Sequence, residues 1–304
     1  MDKVVVFGGS GFIGSHVADE LTFKGYDVVI FDKIASRYLQ KNQTMVIGDL
    51  LDRQSILEVV EDAKYVYHFG GIADIEESTR TPWETMYINV MGTCAILEAC
   101  VALNIKRFLF ASSMYVYTEL GSFYRVSKQS CEKLIKEYSR KFGLGYTVFR
   151  IGTPYGPRSN HFNSIKKMLV QAFHQRKLTC YGSPDEVREY IHVSDAAQEC
   201  VSLLDDMYHN QHVIMTGNQS FRLDMLAKTI REMLGNDIDI EYLPRGEGHH
   251  YHITPYSYKP EKAIKVTPMH YHDLGQGLLE LLYELGGRNS GRPIEIIKYE
   301  LNAR

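Results

Sequence analysis

The chain has 304 residues, 44% of them apolar and 23% charged, an ordinary globular balance at a length that suits one large or two modest domains. With 34 basic against 37 acidic residues, a net charge of −3 and no basic block, it gives no electrostatic footing to nucleic acid or to an anionic membrane, and neither is expected as a partner. An anionic small substrate then has to be held by individual arginines.

The first predicted element is a buried strand at Val4-Val5-Val6-Phe7. It stops at Gly8, too short for the apolar core of a signal sequence, and no run of eighteen apolar residues follows, so a cytoplasmic protein with no membrane span is expected. Gly8-Gly9-Ser10-Gly11-Phe12-Ile13-Gly14 comes next, and Ile13, Val17 and Leu21 then mark one face of a helix. A glycine loop between strand and helix suits a pyrophosphate. Gly8 allows the tight turn, Gly11 lets the backbone approach the phosphates, and Gly14 lets the helix pack closely, with the charge on free N–H groups at the helix start. Val28-Val29-Ile30-Phe31 is the second strand, and Asp32 ends it about eighteen residues after Gly14. That is where a carboxylate meets ribose hydroxyls and repels a 2′-phosphate, so NAD is expected over NADP, a preference that the neighbouring Lys33 softens.

Met45-Val46-Ile47 and Tyr65 to Phe69 are the third and fourth strands. A long helical stretch follows from Pro82 to Leu103, then a strand at Arg107 to Phe110, a helix at Ser122 to Lys141 and a strand at Tyr146 to Arg150. This alternation argues for an α/β fold, a doubly wound parallel sheet covered by helices on both faces. After Arg150, Pro154, Pro157 and Pro184 interrupt shorter elements. Residues 1–152 are therefore read as a Rossmann-type dinucleotide-binding domain, to which a return near 190–215 belongs. Residues 153–189 and 216–304 are read as a smaller substrate domain. The tail from Pro293 to Leu301 alternates in a way that suits an added strand.

Tyr124 and Lys128 stand four apart near the start of a helix, which places them on one face. The ammonium is expected to favour the phenolate and so to draw the tyrosine toward the range of a general base. Ser113, at the end of the preceding strand, is placed to hold a substrate oxygen. A second Tyr-x-x-x-Lys, Tyr258 and Lys262, encloses Pro260 and has no strand-end serine ahead of it. Five cysteines, at 94, 100, 131, 180 and 200, form no CxxC and read as reduced thiols. His249, His250 and His252 match no zinc spacing, so no metal site is expected.

Taken together, the chain resembles the NAD-dependent epimerase/dehydratase family, the extended short-chain dehydrogenases that act on nucleotide sugars. The resemblance runs over roughly residues 2 to 285. It rests on Gly-Gly-Ser-Gly-Phe-Ile-Gly at 8–14, Gly-Asp-Leu at 48–50, His-Phe-Gly-Gly at 68–71 and Asn-Val-Met-Gly-Thr at 89–93. Ser-Ser-Met-Tyr-Val-Tyr at 112–117, Tyr-Arg-Val-Ser-Lys at 124–128, Pro-Tyr-Gly-Pro at 154–157 and Arg-Glu-Tyr-Ile-His-Val at 188–193 complete the series. The resemblance implies that Asp49 and Leu50 flank an adenine, and that Phe69, Gly70 and Gly71 line the dinucleotide near its nicotinamide. Phe12 and Ile13 join the cofactor loop, and Tyr124 and Lys128 border the cofactor as well. Asn89 looks like the family's structural asparagine. Arg188 and Arg245 look like arginines on the substrate diphosphate and near the nucleotide. A homodimer or larger homo-oligomer is implied too, with Met86, Val90, Ala95 and Leu134 as candidate contacts.

Two departures stand out. Thr153 replaces the family's usual asparagine at the substrate, and the connection 118–123 is much shorter than the family's loop beside the sugar, which suggests an open site or one completed by another chain. A 4,6-dehydratase of the family carries an Asp-Glu pair where Met114 and Tyr115 stand, a 3,5-epimerase an acid/base pair there, and a decarboxylase a Glu. What remains is an NAD-dependent enzyme working at C4 of a nucleotide-linked sugar, as 4-epimerase or 4-dehydrogenase. A 4-ketoreductase, or a dinucleotide-binding sensor without turnover, is the alternative.

Overall fold

The computed structural model describes residues 1–244, 250–255, 263–268 and 271–286; Tyr258, Lys262 and the strand expected at 293–301 lie outside them. The main sheet has eight parallel strands. Its first half contains β1 (Lys3–Phe7), β2 (Asp27–Asp32), β3 (Gln43–Ile47), β4 (Ala63–His68), β5 (Arg107–Ser113) and β6 (Tyr146–Ile151). Later in the chain, β10 (Gln211–Met215) and β13 (Ile264–Val266) extend the β6 edge, so the order is β13-β10-β6-β5-β4-β1-β2-β3. The strands β1 and β5 are buried almost throughout. That explains why they read as continuous apolar runs rather than as an alternation.

Each face is covered by helices, as expected for a doubly wound, Rossmann-like sheet. On one side, α1 (Phe12–Phe23) and α8 (Val193–Ser202) pack Val17, Ala18, Leu21, Ala196 and Cys200 against Val4, Val6, Val28 and Ile30. On the other, α2 (Arg53–Val60), α5 (Gly92–Ala102) and α6 (Ser122–Phe142) pack Ile56, Ile96, Cys100, Cys131 and Ile135 against Val5, Phe7, Phe108 and Val148. The short helices α3 (Ile75–Arg80) and α4 (Pro82–Met86) lead into a π-helical turn at Tyr87–Met91 and then into α5. The run Pro82–Ala102 is long and apolar enough to cross a membrane, but its Ala95, Ile96, Leu97 and Cys100 belong to the core.

A second core gathers Leu169 and Ala172 of α7 (Ser164–Gln175), Leu226 and Ile230 of α9 (Leu223–Leu234), and Leu278 and Leu281 of α10 (Leu274–Gly286). Two small sheets border it. One joins β8 (Lys177–Tyr181) to β12 (Asp239–Leu243); the other has the order β11-β9-β7, from β7 (Thr153–Tyr155), β9 (Val187–His192) and β11 (Ser220–Arg222). Residues 187–192 thus do not join the main sheet as expected. The edge of β6 is taken by β10, and β9 pairs with β7, Thr153 opposite Tyr190. The region expected to belong wholly to a substrate domain also returns β13 to the main sheet.

Where α6 meets the sheet lies a buried ion pair. Both Nε and Nη2 of Arg150, on β6, donate to the Glu132 carboxylate of α6 at 3.0 and 2.6 Å, and Ser112 Oγ of β5 donates to the same carboxylate at 2.5 Å. Arg150 Nη1 also donates to Tyr117 Oη. Removing one member of such a pair strands the other charge in low dielectric. We expect Glu132→Ala to lower unfolding free energy by about 3–5 kcal/mol in urea denaturation, and a loss below about 1 kcal/mol, the range of an exposed pair, would contradict a structural role for this pair.

Candidate active site

The order of the main sheet reverses between β1 and β4, and a crevice at the C-terminal ends of strands flanking such a reversal is where a dinucleotide sits in this architecture. Gly8 leaves β1 with φ +77°, and a Cβ there would lie 2.5 Å from Gly70 N. A Cβ at Gly14 would lie 2.3 Å from Gly8 O. Both contacts are with backbone, so neither position has room for a side chain. Helix α1 starts beyond an extended Gly11, with no side-chain cap and no acidic residue in its first turn; nothing negative competes there for an anion. Phe12 lies edge-on to His16, and Ile13 packs on the core.

Asp32 holds the loop as well as facing it. Its Oδ2 accepts from Ser10 N–H at 3.0 Å and its Oδ1 from Ile34 N–H at 3.2 Å. The Lys33 ammonium pairs with Asp49 at 3.5 Å, so it is drawn away from the role of softening Asp32. Leu50 packs over Gly70, and Phe69 stacks on Tyr67 and tilts against Phe149. A cradle of bare backbone, an open helix start and a strand-end carboxylate fit a dinucleotide, and NAD better than NADP.

Asn89 ties this cradle to α6. Its Oδ1 accepts from Ile72 N–H at 2.7 Å, while its Nδ2 donates to Ile72 O at 2.9 Å and to Ser127 Oγ at 3.0 Å. A π-helical turn carries Asn89, and such single turns often mark functional segments. The sequence pattern of one unbroken helix gave no sign of it.

Ser113, Tyr124 and Lys128 come together at the end of β5 and the first turns of α6. Lys128 Nζ lies 5.7 Å from the centre of the Tyr124 ring and 4.7 Å from that of Phe110, and donates to Ala111 O at 2.8 Å. Burial pushes the Tyr124 phenol up to about 12, with a hydrogen bond from Ser113 working against it. Burial pushes the Lys128 ammonium down to about 8. The expected lowering of Tyr124 by Lys128 is therefore not what this geometry gives. The ammonium is committed to a carbonyl, and desolvation of the phenolate outweighs the rest.

The expected substrate residues are spread along the other wall. Thr153 Oγ1 lies 3.4 Å from Tyr251 Oη. Arg188 pairs with Glu186 at 3.2 Å, donates to Tyr251 O at 3.1 Å and lies over the Tyr251 ring. Arg245 lies outside the described residues. The sequence reading missed His250 and Tyr251. Tyr251 tilts against Tyr115 with ring centres 4.9 Å apart, Tyr115 Oη is hydrogen-bonded to His250 Nδ1, and Tyr115 lies edge-on to Tyr124. The side expected to be open because of the short 118–123 connection is thus partly filled from residues more than a hundred positions away. The cluster His249, His250 and His252 was the available signal, and it was tested only against zinc spacing.

A glycine cradle between a strand and a helix, with a carboxylate at the end of the next strand, marks the class of dinucleotide-binding α/β proteins. The model of the NAD dependent epimerase/dehydratase family matches residues 4–215, and the chain belongs to that family; it is an enzyme, and its cofactor is NAD. Among curated proteins it is similar to a UDP-glucose 4-epimerase of Erwinia amylovora, 29% identical over 294 residues covering 81% of this chain and 87% of that protein. It is also similar to UDP-glucuronic acid decarboxylase 1 of Arabidopsis thaliana, 26% identical, covering 80% of this chain and 60% of that one. In fold it resembles UDP-glucose 4-epimerase from Thermotoga maritima with UDP-glucose, at TM-score 0.79 and 24% identity, covering 93% of this chain and 98% of the other. Bacillus cereus UDP-glucuronic acid 4-epimerase, in complex with UDP-glucuronic acid and NAD, gives TM-score 0.81 at 21% identity over 92% and 98%.

We expect the chain to bind NAD more tightly than NADP by roughly tenfold or more, about 1.4 kcal/mol, in calorimetric titrations. Equal constants would remove Asp32 from the ribose.

Proposed function

We propose that the chain is a 4-epimerase of a nucleotide-linked sugar, a UDP-sugar by its likeness to the UDP-sugar epimerases above, working through Ser113, Tyr124 and Lys128. The observation that carries this reading is the meeting of those three side chains at the ends of β5 and α6, beside the glycine cradle. In this scheme Ser113 Oγ holds the C4 oxygen and Tyr124 Oη takes the hydroxyl proton. NAD, held by the glycine cradle and Asp32, would supply the hydride chemistry at C4 when bound. Ser113, whose hydrogen bond lowers the cost of ionising Tyr124, assists the proton transfer, and Lys128, held by Ala111 O, is the proposed positioning group below the phenol. Arg188 is the proposed contact to the substrate diphosphate, with Glu186 holding the guanidinium in place; a guanidinium has five donors, and those contacts leave several over. Met114 cannot act as acid or base, which argues against dehydration.

A second reading rests on the Tyr115–His250 hydrogen bond. A phenol joined to an imidazole beside a 4-keto sugar is a proton-transfer pair, suited to exchange at C3 or C5. Incubation with UDP-, GDP- and dTDP-sugars in deuterated water, followed by NMR, separates the two. A 4-epimer with no deuterium at C3 or C5 fits the first reading. Deuterium at those carbons, with spontaneous enolisation of the ketone excluded, fits the second and overturns the first. Tyr124→Phe is expected to keep the fold and NAD binding and to lose about two to four orders of magnitude in turnover.

The chain is also proposed to act as a homodimer. Trp83, Tyr87 and Met91 recur at i, i+4 and i+8 along Pro82–Ala102, and all three are exposed, with Trp83 stacked on Tyr87. Of the contacts expected from sequence, Ala95 is buried and Val90 and Leu134 pack on the core, which leaves Met86 beside these three. Light scattering is expected to give a dimer that Trp83→Glu dissociates; a wild-type monomer at working concentration contradicts this.

A further inference from the structure

A second cluster lies away from the glycine loop, where the end of β9 meets α10. His192 Nε2 is 3.2 Å from Glu280 Oε2, and His272 Nε2 is 3.8 Å from Glu280 Oε1. The two imidazole rings stack with centres 4.2 Å apart. One ligand atom from each of the three residues lies within 4.8 Å of the others. The His192 side chain is fully buried, yet neither of its ring nitrogens has a hydrogen-bond partner among the described residues. Its approach to Glu280 is close but not aligned as a hydrogen bond. Buried polar atoms left in this way call for an explanation, an ion among them.

We propose that His192, His272 and Glu280 form a binding site for one divalent transition-metal ion, with Zn2+ the best match. Four arguments support it. The separation of 3.2 Å between His192 Nε2 and Glu280 Oε2 is close to the edge of a tetrahedron with bonds of about 2.0–2.1 Å, roughly 3.3–3.4 Å. Two imidazoles and one carboxylate form a donor set that zinc takes in open sites, the remaining position falling to water. A small cavity is lined by Tyr155, His192, Asp195 and His272, two of the three proposed ligands among them. Lastly, Asp195 supplies what a ligating histidine needs behind it. Its Oδ1 is 2.6 Å from His272 Nδ1 and its Oδ2 accepts from His272 N–H at 2.9 Å. A carboxylate at Nδ1 fixes the tautomer and turns the lone pair of Nε2 toward the metal.

The three ligands come from positions 192, 272 and 280. An ion there ties the strand that carries Arg188 to the last described helix. The role is one of anchoring, not hydride chemistry, and the test needs no turnover.

The full-length protein, dialysed against EDTA and then freed of it, is titrated with Zn2+ by calorimetry. Bound metal is counted by mass spectrometry after desalting, and Co2+ absorption reports the ligand field. One ion per chain is expected, with a rise in Tm on binding and a Co2+ spectrum of low coordination number. Glu280, partly exposed on α10, can be changed with little risk to folding. Glu280→Gln and His272→Ala are expected to weaken binding at least tenfold, and Asp195→Asn by about 10–100-fold, each with an unchanged circular dichroism spectrum. No ion bound to the wild-type chain at micromolar Zn2+ overturns the proposal. So does binding that survives Glu280→Gln and His272→Ala but is lost in His252→Ala, since that places the ion at the exposed His252.

Discussion

A charge pair with almost no access to water, Glu132 and Arg150, sets the geometry on which the candidate site depends. Tyr124, Lys128 and Glu132 fall at i, i+4 and i+8 on α6, so they share one helix face. The last of the three is bonded to β6 through Arg150 and to β5 through Ser112, the residue before Ser113. A slip of α6 by one turn, about 5.4 Å, would break a bidentate pair and move Tyr124 out of reach of Ser113 together. Apolar packing of Cys131 and Ile135 alone would tolerate smaller slips, because dispersion has little directional preference. The bidentate pair does not. A buried ion pair is weak grounds for stability in itself; here its value lies in fixing the position of a helix relative to two strands.

That dependence explains why the site was only half legible in the sequence. The glycine loop, Asp32, Ser113, Tyr124 and Lys128 all lie at strand ends or in first turns of helices. Local patterning therefore placed each of them once the strands were recognised. The strands β1, β2, β4, β5 and β6 were visible because strands covered on both faces are apolar runs. What escaped was set by partners distant in sequence. Residues near 190 suggest a return to the main sheet, but β10 already occupies the β6 edge and β9 pairs with β7 instead. Ala95, one of the candidate subunit contacts, lies in the core; a helix with apolar residues on several sides does not declare which side is inward. His250 and Tyr251 reach Tyr115 across more than 130 positions, and His192, His272 and Glu280 meet only through the second core. No periodicity encodes such meetings.

The protonation of the Tyr124–Lys128 pair shows a related limit. Spacing alone placed an ammonium by a phenol, and attraction between them was the expected outcome. The same fold that aligns the two side chains also removes their water, and that works against charge on both. Tyr124 is pushed up and Lys128 down, a pattern of desolvation and not of pairing. Ionising Tyr124 in such a place depends on what lies around it, and Ser113 is the group that already lowers the cost.

The far wall follows the same economy of contacts. The short 118–123 connection turns through Gly121, whose φ of +93° lets the chain enter α6 directly, and Tyr115 lies against that glycine. With no long loop to cover it, Tyr115 is packed instead by Tyr251, and Tyr251 in turn lies beneath Arg188. The arginine is held by Glu186, which is itself buried. A connection shortened on one side of the site is therefore matched by a chain of aromatic and charged contacts from the other. The contacts around Tyr115 are consequently drawn from His250 and Tyr251, and through Tyr251 from β9, as well as from the connection that precedes α6.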